Sequence, residues 1–118
     1  SVASFIRGVL ARGTAASPTA VQAEDVEFRV RASAHNGTTY AGSNLEVRFI
    51  AKENQAVGAH GSRIEFYTTP DGSTTLTKVM TLQDDGNINI EAGKSYLVDG
   101  VAVSGNSLIS NKRSWFLC

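Results

Sequence analysis

Apolar and polar residues alternate with period two along most of this chain, the spacing that puts one residue set on each face of a β-strand. The pattern is cleanest from Val26 to Ala34, where Val26, Phe28, Val30, Ala32 and Ala34 oppose Glu27, Arg29, Arg31 and Ser33. Leu45, Val47, Phe49 and Ala51 then alternate with Glu46, Arg48 and Ile50. Ile64, Phe66 and Thr68 alternate with Arg63, Glu65 and Tyr67. Leu76, Met80 and Leu82 share a parity that Lys78 breaks, and Ile88 and Ile90 alternate with Asn87, Asn89 and Glu91.

Turn signals separate these runs. His35-Asn36-Gly37 follows the first, Pro70-Asp71-Gly72-Ser73 the third, and Asp84-Asp85-Gly86-Asn87 the fourth. Asn-Gly and Asp-Gly pairs tolerate the positive φ of tight hairpin turns. The strongest hairpin signal is Tyr96-Leu97-Val98, then Asp99-Gly100, then Val101-Ala102-Val103. Residues 17–25 contain Pro18 and the acidic pair Glu24-Asp25, and accommodate a short turn or helix at most. The expected fold is all-β, built of short antiparallel strands and hairpins, either β-sandwich-like or intertwined between chains.

Residues 1–83 form the expected main β-rich module. Residues 84–118 form a short-strand hairpin segment of the same continuous unit. This second stretch is rich in Gly, Asn, Asp and Ser, and a lone short hairpin is marginal in water. It needs a partner over its apolar edges, and a homotrimer that pools strands around an axis supplies one.

Charge sharpens the picture. The 118 residues carry 11 Lys plus Arg and 11 Asp plus Glu, a formal net charge of zero. Such a chain has no long-range field to gather nucleic acid, and little repulsion against self-association. Arg29, Arg31, Arg48 and Arg63 interleave with Glu27, Glu46 and Glu65, a mixed-sign pattern that fits cross-strand ion pairs and not a nucleic-acid surface. No apolar run approaches the roughly 20 residues of a membrane helix, so membrane insertion is not expected. Cys118 has no partner for an intrachain disulfide. A start at Ser1 instead of Met points to a processed product or a fragment of a longer chain.

Candidate chemistry is sparse. His35 sits in a turn context and His60 between small residues, and neither has a base or nucleophile at motif spacing. Glu24-Asp25 and Asp84-Asp85 are adjacent pairs, which on a strand point to opposite faces and cannot flank one scissile bond. Asp84-Asp85-Gly86-Asn87 lacks the closing ligands of a calcium loop. No enzyme activity, cofactor or metal site is expected. Tyr40, Tyr67, Tyr96 and Trp115 are aromatics able to stack on a sugar ring, with Tyr40, Tyr67 and Trp115 as the possible glycan contacts. His60 is the candidate residue on a trimer axis.

The run from Gly61 to Thr75, with the following Val79-Met80-Thr81-Leu82 and Asp85-Gly86-Asn87-Ile88-Asn89-Ile90, resembles a stretch found in bacteriophage tail fibre and tail spike proteins. Arg12-Gly13-Thr14-Ala15-Ala16-Ser17-Pro18-Thr19-Ala20-Val21 is similar to the segment that opens that module. Gly93-Lys94-Ser95-Tyr96-Leu97-Val98-Asp99-Gly100-Val101 is similar to the short repeat that precedes an endosialidase-type intramolecular chaperone domain. Together these segments cover most of the chain. After Ser110 the chain departs from the pattern, reading Asn111-Lys112-Arg113-Ser114-Trp115-Phe116-Leu117-Cys118 with no chaperone sequence. The resemblance implies a homotrimeric structural or attachment module of a virion. Its implied partners are two further copies of itself, other virion tail proteins and a host surface glycan. The alternative is a lectin-like β-sandwich that binds carbohydrate on its own.

Overall fold

The computed structural model describes residues 2–103. Among them there is no helix, and every regular element is an antiparallel strand. A small ladder joins β1 (Arg12–Gly13) to β2 (Pro18–Thr19). A five-stranded meander follows: β3 (Val26–Ala32), β4 (Leu45–Ala51), β5 (Ser62–Thr68), β6 (Thr77–Leu82) and β7 (Ile88–Ile90), each paired with its sequence neighbour. The hairpin of β8 (Tyr96–Val98) and β9 (Val101–Val103) closes the described chain. Asp99 and Gly100 have φ of 52° and 76°, the two consecutive left-handed positions that a type I′ turn demands. Residues 17–25 form no helix: they are extended, with a turn at Glu24, whose φ is 74°.

The register of the meander shows why the alternation matters. Directly opposed residues share a face, and two apolar rows cross all five strands. One runs Phe28–Phe49–Ile64–Leu82–Ile88, the other Val30–Val47–Phe66–Met80–Ile90. The reverse face carries Arg29–Arg48–Glu65–Thr81–Asn89 and Arg31–Glu46–Tyr67–Lys78.

Two β-bulges correct the simple parity. In the β5–β6 pair, Phe66 opposes Met80 but Tyr67 opposes Lys78, so Val79 is the extra residue. That single insertion returns Lys78 to the charged face and accounts for the break in the Leu76, Met80, Leu82 series. In the β3–β4 pair, Val26 opposes Ile50 while Phe28 opposes Phe49. Val26 therefore joins Ile50 on the charged face, contrary to the alternation. Glu27 lies beside Phe49 and Ile64 at the rim of the apolar face, with the Ser62 hydroxyl 3.4 Å from its carboxylate.

Burial is inverted relative to an ordinary globule. Among the described residues the buried polar ones are Glu46, Glu65 and Thr81, all on the charged face, and the buried apolar ones are Val21, Ile50 and Ala51, clustered where Val21–Asp25 docks on the end of β4. That docking is held by Glu24 N–H to Ala51 O (2.8 Å), Ala51 N–H to Asp25 O (3.0 Å) and Gln55 N–H to Val21 O (2.8 Å). Among the described residues no large side chain is fully buried, and no second sheet packs over the apolar rows. Val30, Leu45 and Ile88 remain 51–66% exposed.

Candidate functional site

Two surfaces of the meander carry its chemistry, and they lie back to back. The first is the apolar face. Five strands about 4.8 Å apart, crossed by two apolar rows, make a patch on the order of 400 Å². Contiguous exposed patches of that size mark interaction surfaces. Covering it would contribute a gross ~10 kcal/mol per chain, before the cost of association. Elsewhere in the chain, Tyr96, Leu97, Val98 and Val101 of the β8–β9 hairpin are 53–67% exposed, and Phe5, Ile6 and Val9 in the segment before β1 are exposed as well. That segment runs close over the sheet at Gly8, where a Cβ would fall 2.4 Å from the Phe28 ring.

The second surface is the charged face, whose buried carboxylates are paired within the chain. Glu46 lies under a canopy of guanidinium groups: Arg48 Nε donates to it at 2.7 Å, and Arg29 and Arg31 stand 3.3 and 3.6 Å away. The Arg48 guanidinium rests 4.0 Å above the Tyr67 ring, a cation–π contact. Tyr67 O–H donates to Glu65 at 2.5 Å, and Arg63 Nε donates to the same carboxylate at 2.9 Å. Arg63 also donates two hydrogen bonds to Glu24, and Lys78 bridges Glu65 (3.6 Å) to Glu91 (3.7 Å). The network therefore runs unbroken from β3 to the end of β7.

Ionisation follows from this arrangement. Burial opposes the charge on Glu46, but the Arg48 hydrogen bond and the three arginine charges outweigh it and hold the carboxyl below its ordinary range. Burial likewise opposes the charge on Glu65, and the bonds from Tyr67 and Arg63 with the Lys78 and Arg63 charges prevail. The Tyr67 phenol is pushed up to about 12 by burial, then by its bond to Glu65 and that carboxylate's charge. Asp25, which accepts two hydrogen bonds from Arg12 at 2.6 Å, is held at about 2, chiefly by that pairing and then by the Gln22 N–H.

Asp25 sets a pH dependence with a definite sign. Its folded value lies below the ordinary 3.8. Its stabilising contribution is therefore complete above the ordinary value and is lost as pH falls from 3.8 through about 2. Urea-unfolding midpoints measured from about pH 5 to 2 are expected to fall, and Asp25→Asn to flatten that fall. An unchanged slope in the variant would show the pairing to be energetically silent.

The aromatics and histidines singled out in the sequence fall in different places. Tyr67 is half-buried, with one ring face under Arg48 and its hydroxyl committed to Glu65. Tyr40 is 71% exposed on the β3–β4 loop, edge-on to the His35 ring with centroids 5.0 Å apart. His60 is exposed in the β4–β5 loop. Trp115 and Cys118 lie outside the described residues. The Asp84-Asp85-Gly86-Asn87 segment is a turn: Asn87 N–H donates to Asp85 Oδ1 at 3.0 Å, and Gly86 has φ 87°. Among the described residues no three His, Cys, Asp or Glu side chains are placed to hold a metal ion. Sequence reasoning anticipated cross-strand ion pairs but missed the convergence of three arginines on Glu46. The signal was present in Arg29, Arg31 and Arg48, whose shared face only the register makes certain.

This two-faced sheet has close counterparts among solved structures. The carboxy-terminal domain of the bacteriophage T5 L-shaped tail fibre, solved with its intramolecular chaperone domain, superposes with a TM-score of 0.71 over 81% of this chain and 25% of that one, at 19% identity. A structure of the same carboxy-terminal domain gives a TM-score of 0.66 over 93% of this chain and 40% of that one, at 20% identity. The fold is that of a phage tail-fibre domain. The chain spans between a quarter and two fifths of the fibre chains it matches. No family model matches the sequence, and no curated protein does.

Proposed function

We propose that this chain is a structural module of a virion tail fibre, assembled with two further copies of itself and contributing to host attachment. The observation that carries the reading is the unequal finish of the sheet. The polar face pairs its buried carboxylates within one chain, whereas the apolar rows have no covering sheet and keep Val30 and Ile88 more than half exposed. A protein that ended there would expose the surface that normally drives folding. Three copies turned inward around an axis cover the rows, the exposed hairpin β8–β9 and the apolar segment before β1 together. The shared fold with tail-fibre domains fits this reading, as do the sequence segments that resemble them. Further virion tail proteins are the expected neighbours along the fibre, and the charged faces point outward toward the host. In this reading the module is not an enzyme: its histidines sit in loops, and its buried carboxylates, Glu46 and Glu65, are committed to arginine pairing.

The test is mass in solution, by light scattering during size exclusion over a dilution series. A species at about three times the 12.5 kDa chain mass that resists dilution is expected. A well-folded monomer would overturn the proposal, and a stable dimer would replace it with a face-to-face sandwich of two copies.

A further inference from the structure

The charged face is not uniform. Arg29 and Arg48 stand directly opposite each other across β3 and β4, a like-charge pairing that disfavours the ladder unless something lies between. Glu46 lies there, but it is one carboxylate for three guanidinium groups. The patch keeps a surplus of two positive charges on a chain whose formal net charge is zero. Arg29 and Arg31 are 41% and 46% exposed at their side chains, at distances to Glu46 that leave most of their N–H groups facing outward. Arg48 is held in place from below by the Tyr67 ring.

These three arginines floor a groove of about 660 Å³, within the size range of small-ligand sites. Its walls are the β3–β4 loop, with Ser43 and Asn44, and the β5–β6 loop, with Ser73 and Thr74. Guanidinium groups recognise planar oxyanions through paired hydrogen bonds, and hydroxyl and amide walls suit a polyhydroxylated body around that anion.

We propose that this groove binds the carboxylate or phosphate group of an acidic saccharide. The anion follows from the arginine floor alone. The choice of a saccharide rests on the fibre reading above. A nucleic acid fits less well, because the basic surface is one short groove and the chain has no wider field to support a polyanion.

The experiment uses the assembled protein and isothermal titration with four probes: a short oligogalacturonate, its neutral methyl ester, mannose 6-phosphate and mannose. Binding by a charged probe and none by its neutral counterpart is expected, with weakening as salt is raised. The oligogalacturonate arm reports carboxylate recognition and the mannose 6-phosphate arm phosphate recognition. The double substitution Arg29→Gln with Arg31→Gln should weaken binding at least about tenfold, while Arg48 still pairs Glu46 and keeps the sheet intact. Gly42→Trp is an independent block. A Cβ at Gly42 meets nothing within 4 Å, so the indole can fill the groove with no change of charge, and it should abolish binding. Equal binding of charged and neutral probes, unchanged binding by either variant, or no binding by any probe would overturn the proposal. Light scattering on the same samples separates that result from a failure of assembly, which would count against the fibre reading instead.

Discussion

Val47→Asp is expected to abolish both assembly and cooperative unfolding. Val47 sits in the second strand of the meander, between Val30 and Phe66 in one of the rows that cross all five strands. Once copies close over that row, a carboxylate there has no hydrogen-bond donor and no water. Loss of the valine removes about 1.5–3 kcal/mol of apolar burial. Placing a charge in its position adds several kcal/mol more per chain, incurred by every copy in the assembly. Light scattering should show a monomer or aggregate, and calorimetry should show no sharp transition. Asn89→Asp is the matched control: it adds the same charge to the opposite, exposed face and should leave mass and melting temperature near those of the parent. If Val47→Asp assembles and melts as the parent does, the apolar face is not the interface.

Glu65→Ala is expected to cost about 2–3 kcal/mol, a large effect for a residue on the charged face. Glu65 is only 4% exposed, yet it accepts from Tyr67 and Arg63 and attracts Lys78. Removing one partner of a buried pair usually costs about 3–5 kcal/mol, because the other charge is stranded. Here Arg63 keeps Glu24 and Lys78 keeps Glu91, and the site lies beneath a single layer of side chains where water still screens. Both facts lower the expected figure. Chemical unfolding of the assembled protein gives the direct measurement. A double-mutant cycle with Tyr67→Phe should show coupling of about 1 kcal/mol, since Glu65→Ala removes the acceptor and Tyr67→Phe the donor of the same hydrogen bond. A change within about 0.5 kcal/mol for Glu65→Ala would mean that the network behaves as ordinary surface charge.

Most strands were legible because each carries its own alternation and its own turn. Leu45–Ala51, Ile88–Ile90 and the two strands around Asp99-Gly100 fall where the pattern predicts them. The facing of individual side chains was less legible, because a bulge is one residue of slack that alternation alone cannot locate. Lys78 announced its bulge by breaking parity, whereas Val26 and Glu27 kept perfect alternation through theirs and so gave no sign of it. The residues that form the arginine groove were visible as a mixed-sign pattern. Their convergence was not, because it depends on which residue of one strand stands opposite which residue of the next. Tyr67 was chosen from sequence for its ring, and the structure gives that ring a different task, as the seat of Arg48.

The inversion of burial also has a temporal side. In the proposed assembly, a chain whose buried carboxylates are already paired while its apolar rows stay partly exposed gains its missing cover only from further copies. Its folding rate should therefore depend on how many copies are nearby, and refolding after dilution should slow as concentration falls. A single copy made without companions would present the same rows to any exposed strand it met, and aggregation would compete with assembly from the first encounter. In that proposed assembly the scarce quantity is company of its own kind, and synthesis of many chains in one place would favour the fibre over the aggregate.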